Sequence, residues 1–170
     1  MNHLMIDLET LGTAETSIFI TCGACYFDPD TGEIGRKFYS AIDIQSSIDV
    51  GRTFSASTLK WWMGQGEDAK KQFEEEGASL QDFLKQFGAF AQDATVWGNG
   101  ATFDISMLEN AYGEGNQPWR FWNVRDCRTV EWLSKLDRGS FERKGVHHNA
   151  LDDAIYQAEY ISAMIQDIRI

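Results

Sequence analysis

Met5-Ile6-Asp7-Leu8-Glu9-Thr10 alternates apolar and acidic side chains close to the start of the chain. Read as a strand, its period of two puts Leu4, Ile6 and Leu8 on one face and Asp7 and Glu9 on the other. Side chains two apart on a strand face are ~6.6–6.8 Å apart at the backbone, so the two carboxylates can converge on the same one or two cations. Without a cation, two ionised acids held that closely repel. The stretch therefore reads as a metal platform, and its bland alternative is a surface strand whose acids face water.

The bulk composition is that of a folded protein. The chain has 170 residues, 43% hydrophobic and 13% aromatic, with six Trp and eleven Phe; that is enough to bury a full core in one domain, residues 1–170, without disulfides. The N-terminus reaches an acid before any apolar run of signal-peptide length, and no run approaches the ~18 apolar residues of a membrane span, so a cytoplasmic protein with no membrane partner is expected. Cys22, Cys25 and Cys127 are an odd, sparse set, consistent with reduced thiols. Cys22-Gly-Ala-Cys25 has a zinc-like spacing, but it lies in an apolar strand-like run whose residues three apart point to opposite faces, so burial is the expected role. The net charge of −11 excludes nonspecific coating of nucleic acid, which needs a basic surface. It is compatible with gripping a chain end, because four acids holding two divalent cations would bring −11 to −7 and make the site locally cationic.

Outward from the first strand, Ser17 to Phe27 is a long apolar run, Asp28 to Glu33 a turn and Ile34 to Ile44 again strand-like, which makes a hairpin and one antiparallel pairing. Ser55 to Met63 turns helical and stops at Gly64 and Gly66; the charged Asp68 to Glu76 segment reads as a short solvated helix or loop. Ser79-Leu80-Gln81-Asp82 resembles a capping box opening an amphipathic helix with Leu80, Phe83, Leu84, Phe87 and Phe90 at helical spacing. Thr95-Val96-Trp97 is a short strand, Gly98-Asn99-Gly100 a loop and Thr102 to Ala111 a helix. Phe121 to Val124 is expected as the last strand, then an Asp126-capped helix through Leu136 and a closing helix from Leu151 to Ile165. This order is an α/β layout: a mixed sheet flanked by helices.

Two further acidic positions carry chemistry. Asp104 opens the helix after the fourth strand, where an acid is also favoured by the helix dipole. His147 and His148 stand five residues ahead of Asp152 and Asp153, and either pair can bring an imidazole and a carboxylate into one pocket. Helical periodicity does not choose between the pairs, since both acids lie off the centre of the Leu151, Ala154, Ile155, Ala158 stripe.

Asp7-Leu-Glu9-Thr10, Asn99-Gly-Ala-Thr-Phe103-Asp104 and His148-Asn-Ala150-Leu151-Asp-Asp153-Ala154 resemble, in order, the three motifs of the DEDDh 3′-to-5′ exonucleases, the DnaQ-like proteins with a ribonuclease H-like fold. Arg125-Asp126-Cys127-Arg128-Thr129 and Leu59-Lys60-Trp61-Trp62 resemble a small phage and bacterial exoribonuclease branch of that family. The resemblance implies a five-stranded mixed sheet, two Mg²⁺ or Mn²⁺ ions held by Asp7, Glu9, Asp104 and Asp153, and His148 as general base. It also chooses the register His148 with Asp153, implies single-stranded nucleic acid 3′ ends as partner, and suggests a homodimer, as in relatives of this size. Elementary chemistry agrees on the metal: hard oxygen ligands suit Mg²⁺ or Mn²⁺, and the Cys and multiple His that favour zinc are missing. Two such ions can stabilise both the attacking and the leaving oxygen of an in-line displacement at phosphorus, with a neutral imidazole taking the water's proton.

For substrate contacts, Thr10 and Leu11 are expected at the terminal sugar and base, Asn99 at a phosphate or sugar, and Trp61 at a base. Trp61 and Trp62 point ~100° apart on a helix, so at most one stacks while the other packs inward, and core packing of both is the alternative. A P-loop is absent, and no His directly precedes an Asp as a His-Asp phosphohydrolase would require. The rival of a different class is a ribonuclease H-like binding module without activity, since fold alone does not establish chemistry. RNA and DNA both stay open as substrate.

Overall fold

Strand β1 (His3–Thr10) lies at the centre of a five-stranded sheet ordered β3-β2-β1-β4-β5 in the computed structural model, which describes residues 1–169. The other strands are β2 (Phe19–Phe27), β3 (Ile34–Ala41), β4 (Thr95–Gly98) and β5 (Val124–Asp126). β2 is antiparallel to both β1 and β3, while β4 is parallel to β1 and β5 to β4. The expected mixed sheet flanked by helices, the ribonuclease H-like α/β fold, is the fold observed.

The alternation of β1 sorts its side chains into two cores. Leu4, Ile6 and Leu8 pack with Phe19, Phe83, Phe87 and Val96 under helix α4 (Leu80–Phe90). Met5 packs on the opposite face with Cys25, Phe27, Trp97, Ala154 and Ile161 under helix α7 (Ala150–Ile168). Each fully buried Leu, Phe or Ile stabilises by ~1.5–3 kcal/mol relative to exposure, so inverting the register of β1 would forfeit both cores at once. Cys22 and Cys25 fall into the two different cores, each fully buried, which settles their spacing as packing.

Helix α7 comes exceptionally close to the sheet. A Cβ built on Gly23 would lie 2.1 Å from the backbone of Ala150 and Leu151, so only glycine in β2 lets the first turn of α7 rest on the sheet. Ala150, Ala154 and Ala158 continue that close contact at four-residue spacing.

The remaining helices are α1 (Ile44–Asp49), α2 (Ala56–Met63), α3 (Glu67–Lys70), α5 (Asp104–Tyr112) and α6 (Cys127–Leu133). Three boundaries differ from the sequence reading. β3 ends at Ala41 rather than running to Ile44, because the Asp43 side chain accepts from the Gln45 and Ser46 N–H groups and starts α1. Phe121–Asn123 is a 3₁₀ turn, and β5 begins only at Val124, where pairing with Val96 starts; Phe121 and Trp122 are exposed instead. Helix α6 is capped by Asp126 as expected but stops at Leu133, after which Asp167 accepts from the Ser134 hydroxyl and the Lys135 N–H. Among the described residues no helix is long and apolar enough to cross a membrane.

Candidate active site

The short β4 creates the site. It pairs with β1 only as far as Gly98 opposite Ile6, so the last residues of β1 project past it. The Leu8 N–H that this leaves over donates to Asp104 Oδ1 at 3.0 Å. Asp104 is the first residue of α5, so the Gly98 to Phe103 loop both ends β4 and returns an acid to the strand beside it. From the other side, the close seating of α7 delivers Asp153. Carboxylate oxygens of Asp7, Glu9 and Asp153 all lie within 4.8 Å of one another. Asp104 stands outside that trio but lines the same open cleft of about 430 Å³, together with Asn99, Arg128 and His148.

These acids are costly as they stand. Burial, reinforced by Asp104, Glu9 and Asp153, pushes the Asp7 carboxyl well above the ordinary carboxylate range. Burial and then Asp153 and Asp104 push Glu9 up to about 8. Burial lifts Asp104 to about 7 against the hydrogen bond from Leu8, and raises Asp153 against the nearby Arg143 guanidinium. A cluster of oxygen donors that resists ionisation by itself is what a hard divalent cation relieves. The residues present fit such an ion.

His148 is presented by a strained backbone. Its φ of 63° is in the left-handed region, uncommon for a residue with a side chain. Its carbonyl accepts from Gln72 Nε2 at 2.9 Å; its ring packs edge-on against Trp61 at 4.8 Å and stacks on His147 at 3.9 Å. Nδ1 lies 4.0 Å from Glu9 Oε1. Burial, with His147 and Arg143 nearby, lowers its pKa from the ordinary value, which keeps the imidazole neutral.

The two His–Asp registers separate in space. His148 and Asp153 line the cleft. His147 is exposed on the outside of His148, although its ring lies near Asp153 as well. Asp152 turns away: its Oδ2 accepts from the Val146 N–H at 2.8 Å and closes the loop before α7.

A second cleft, of about 330 Å³, adjoins the first through Leu8, Glu9 and Phe103, and Thr10, Trp61 and Trp62 line it. Trp61 is 45% exposed, whereas Trp62 is buried and donates from Nε1 to the Thr10 carbonyl at 2.9 Å. Thr10 spends its hydroxyl on the Gly12 carbonyl. The structure moves Leu11 away from the cleft walls: the register shift at Glu9/Thr10 turns the chain, and Leu11 packs with Ile18, Ile20 and Trp62 in a third core cluster. Asn99 reaches the cleft with Oδ1 buried and without a partner.

Residues not singled out from the sequence complete the setting. Gln157 Nε2 donates to Asp7 Oδ1 at 2.7 Å; it lies four residues after Asp153, on the same helix face, and that spacing was a usable signal. Gln72 ties the His148 carbonyl to the Ala69 carbonyl and the Thr21 hydroxyl. Its segment, expected to be solvated, buries both Ala69 and Gln72. Arg143 forms an ion pair with Asp153.

A family model for the 3′-5′ exoribonuclease Rv2179c-like domain matches residues 2–165. The chain belongs to that family. The chain is 27% identical over 160 residues to the exodeoxyribonuclease of Enterobacteria phage T4, covering 76% of this chain and 70% of that protein. Among solved structures it is similar to S. pombe Pop2p in its Mg²⁺- and Mn²⁺-bound form, with TM-score 0.66, 14% identity and coverage of 95% and 82% of the two chains. It is also similar to the nuclease domain of 3′hExo, a DEDDh family member bound to rAMP, with TM-score 0.56, 17% identity and coverage of 97% and 92%. The chain thus has the ribonuclease H-like fold shared by these DEDDh-type nucleases.

Proposed function

We propose that this chain is a 3′-to-5′ exonuclease that hydrolyses the last phosphodiester of a single-stranded nucleic acid and releases nucleoside 5′-monophosphates. The observation that carries the reading is the meeting of Asp7, Glu9 and Asp153 oxygens within 4.8 Å, in one cleft with Asp104 and His148. Asp7, Glu9, Asp104 and Asp153 would hold two Mg²⁺ or Mn²⁺ ions. When bound, these supply Lewis-acid stabilisation of the attacking and leaving oxygens at phosphorus. The likeness to Pop2p, described with both cations, supports that choice.

The chain's own groups divide the remaining work. His148, held neutral, accepts the proton of the attacking water at a ring nitrogen. Gln72 fixes the backbone that aims it, and Gln157 orients Asp7. Trp61 offers an exposed ring beside the catalytic cleft, and a stacked base there is worth ~1–3 kcal/mol. Thr10 and the Leu8 to Glu9 backbone form the floor below it.

The family description names RNA and the phage T4 relative DNA, so the test carries both sugars. Single-stranded RNA and DNA of one sequence, labelled at the 5′ end, are incubated with Mg²⁺ or Mn²⁺. A ladder descending from the 3′ end, lost in Asp7→Ala, is expected. Full-length label with both nucleic acids and both metals would overturn the reading in favour of a binding module.

A further inference from the structure

Among the described residues the cleft contains one cation without a hydrogen bond or ion pair, although its charge reaches Asp104 and Asp126. Arg143 is committed to Asp153, and Arg125 donates to the Trp122 and Val124 carbonyls. Arg128 lines the cleft, and among the described residues it donates no hydrogen bond and closes no ion pair. Its placement is built. Asp126 caps α6 through the Thr129 N–H, and its other oxygen accepts from the Ala101 N–H at 2.6 Å, which locks the start of α6 to the Gly98 to Phe103 loop. Arg128 then extends over Gly100, whose φ of 98° admits only glycine comfortably. A Cβ there would stand 3.2 Å from the guanidinium carbon. In the first turn of a helix a cation gains nothing from the backbone dipole, so helix stability does not account for it.

The geometry points to Arg128 as a strand-backbone subsite in which the guanidinium grips a phosphate next to the one being cut. The inference rests on the exonuclease reading. The three acids whose oxygens meet, Asp7, Glu9 and Asp153, gather at β1, whereas α6 follows β5, two strand spacings or ~9–10 Å across the sheet. The guanidinium lies over the loop rather than over β1, so it serves a neighbouring linkage. Its planar fork matches two non-bridging oxygens. An anion entering a cleft walled by four acids also needs a counter-charge, and Arg128, which forms no ion pair among the described residues, is placed to supply it.

Arg128 is exposed, so its variants are expected to fold, with thermal unfolding as control. Arg128→Gln should raise KM for single-stranded substrate roughly 10- to 100-fold with a smaller change in kcat, the scale of a lost charged hydrogen bond; Arg128→Lys should fall between. Binding of a fluorescent oligonucleotide to Asp7→Asn, with and without Arg128→Gln, should show the log–log salt slope falling by ~0.7, one single-strand phosphate contact. A neutral methylphosphonate at the linkage next to the scissile one should weaken wild type about as much as Arg128→Gln does, and should add nothing to that variant. An unchanged KM and salt slope, or a neutral linkage whose cost simply multiplies with that of Arg128→Gln, overturns the subsite. A wild type that shortens no oligonucleotide overturns the exonuclease reading instead, and the binding slope still decides Arg128.

Discussion

Replacing Glu9 by Gln in the metal-free protein should raise its thermal stability at pH 7 to 8 and leave it nearly unchanged at pH 4.5. In the fold, burial and the neighbouring Asp153 and Asp104 lift the Glu9 carboxyl from 4.5 to about 8. The folded state therefore holds a proton that the unfolded chain releases. Stability falls as pH rises through the window from about 4.5 to about 8. At pH 7 more than half of that window has been crossed, a cost on the order of a few kcal/mol. Asp7, Asp104 and Asp153 share the same repulsion, so neutralising one acid recovers only part of it, and ~1–3 kcal/mol is expected. In a domain of this size that is a rise in Tm of ~3–10 °C. Thermal melts followed by circular dichroism in EDTA, at pH 8, 7 and 4.5, read it directly. Saturating Mg²⁺ or Mn²⁺ should reverse the order, because wild type gains RT ln(1 + [L]/Kd) and the variant gains less. A gain at pH 4.5 as large as at pH 8 would mean that packing, not charge, is responsible, and no gain at pH 8 would refute the argument.

Asp7→Ala should abolish turnover while leaving the far-ultraviolet circular dichroism spectrum intact; nucleolysis at the wild-type rate would remove the metal-site assignment. His148→Ala and Asp153→Ala should each lower kcat ~10²-fold or more, the scale of a lost general base, whereas His147→Ala and Asp152→Ala should cost far less, Asp152→Ala showing mainly as a lower Tm from its lost bond to Val146. At saturating metal the acid limb of the pH–rate profile should lie below 6.5, since burial, His147 and Arg143 depress His148 and only the neutral ring accepts a proton. His147→Ala should move that limb to higher pH, and a limb that stays in place would show that His148 is not the titrating base. Gly23→Ala should destabilise by at least ~1–3 kcal/mol through overpacking and reduce turnover with it, because the new methyl meets the α7 backbone; an unchanged Tm would show that α7 is not seated on β2.

What the sequence made legible is whatever depends on local period and local chemistry. The two-residue alternation of Leu4 to Glu9 sorts apolar and acidic side chains whatever the strand's neighbours are, and that sorting is what the two cores use. Asp104 and Asp126 at helix starts are readable because an acid there is favoured by the backbone itself. Elements whose existence depends on a partner were misplaced. Phe121 and Trp122 have strand-forming side chains, but β5 can begin only where β4 offers a free edge, and β4 is four residues long. Leu11 follows the acids directly, yet the register shift after Glu9 sends it into a core that no local pattern announces.

The site's glutamines mark the same boundary from the other side. Gln157 repeats the helical spacing of Asp153, so periodicity could have found it. Gln72 lies in a charged segment, and its three hydrogen bonds go to residues 3, 51 and 76 positions away. A buried amide is costly unless its polar atoms find partners; Gln72 satisfies both of its atoms, and two of those three partners come from elements that only the finished fold supplies. The proposed general base is therefore placed by tertiary structure in the strict sense: the sequence around His148 supplies the imidazole, while Gln72 and the Trp61 ring decide where it points. The acids differ, because β1 alone sets Asp7 and Glu9 on one face, and Gly23 with the alanines of α7 lets Asp153 reach them. The pairing of the two β1 acids thus follows from spacing along the chain, whereas the reach of Asp153 and the aim of His148 follow from long-range closure.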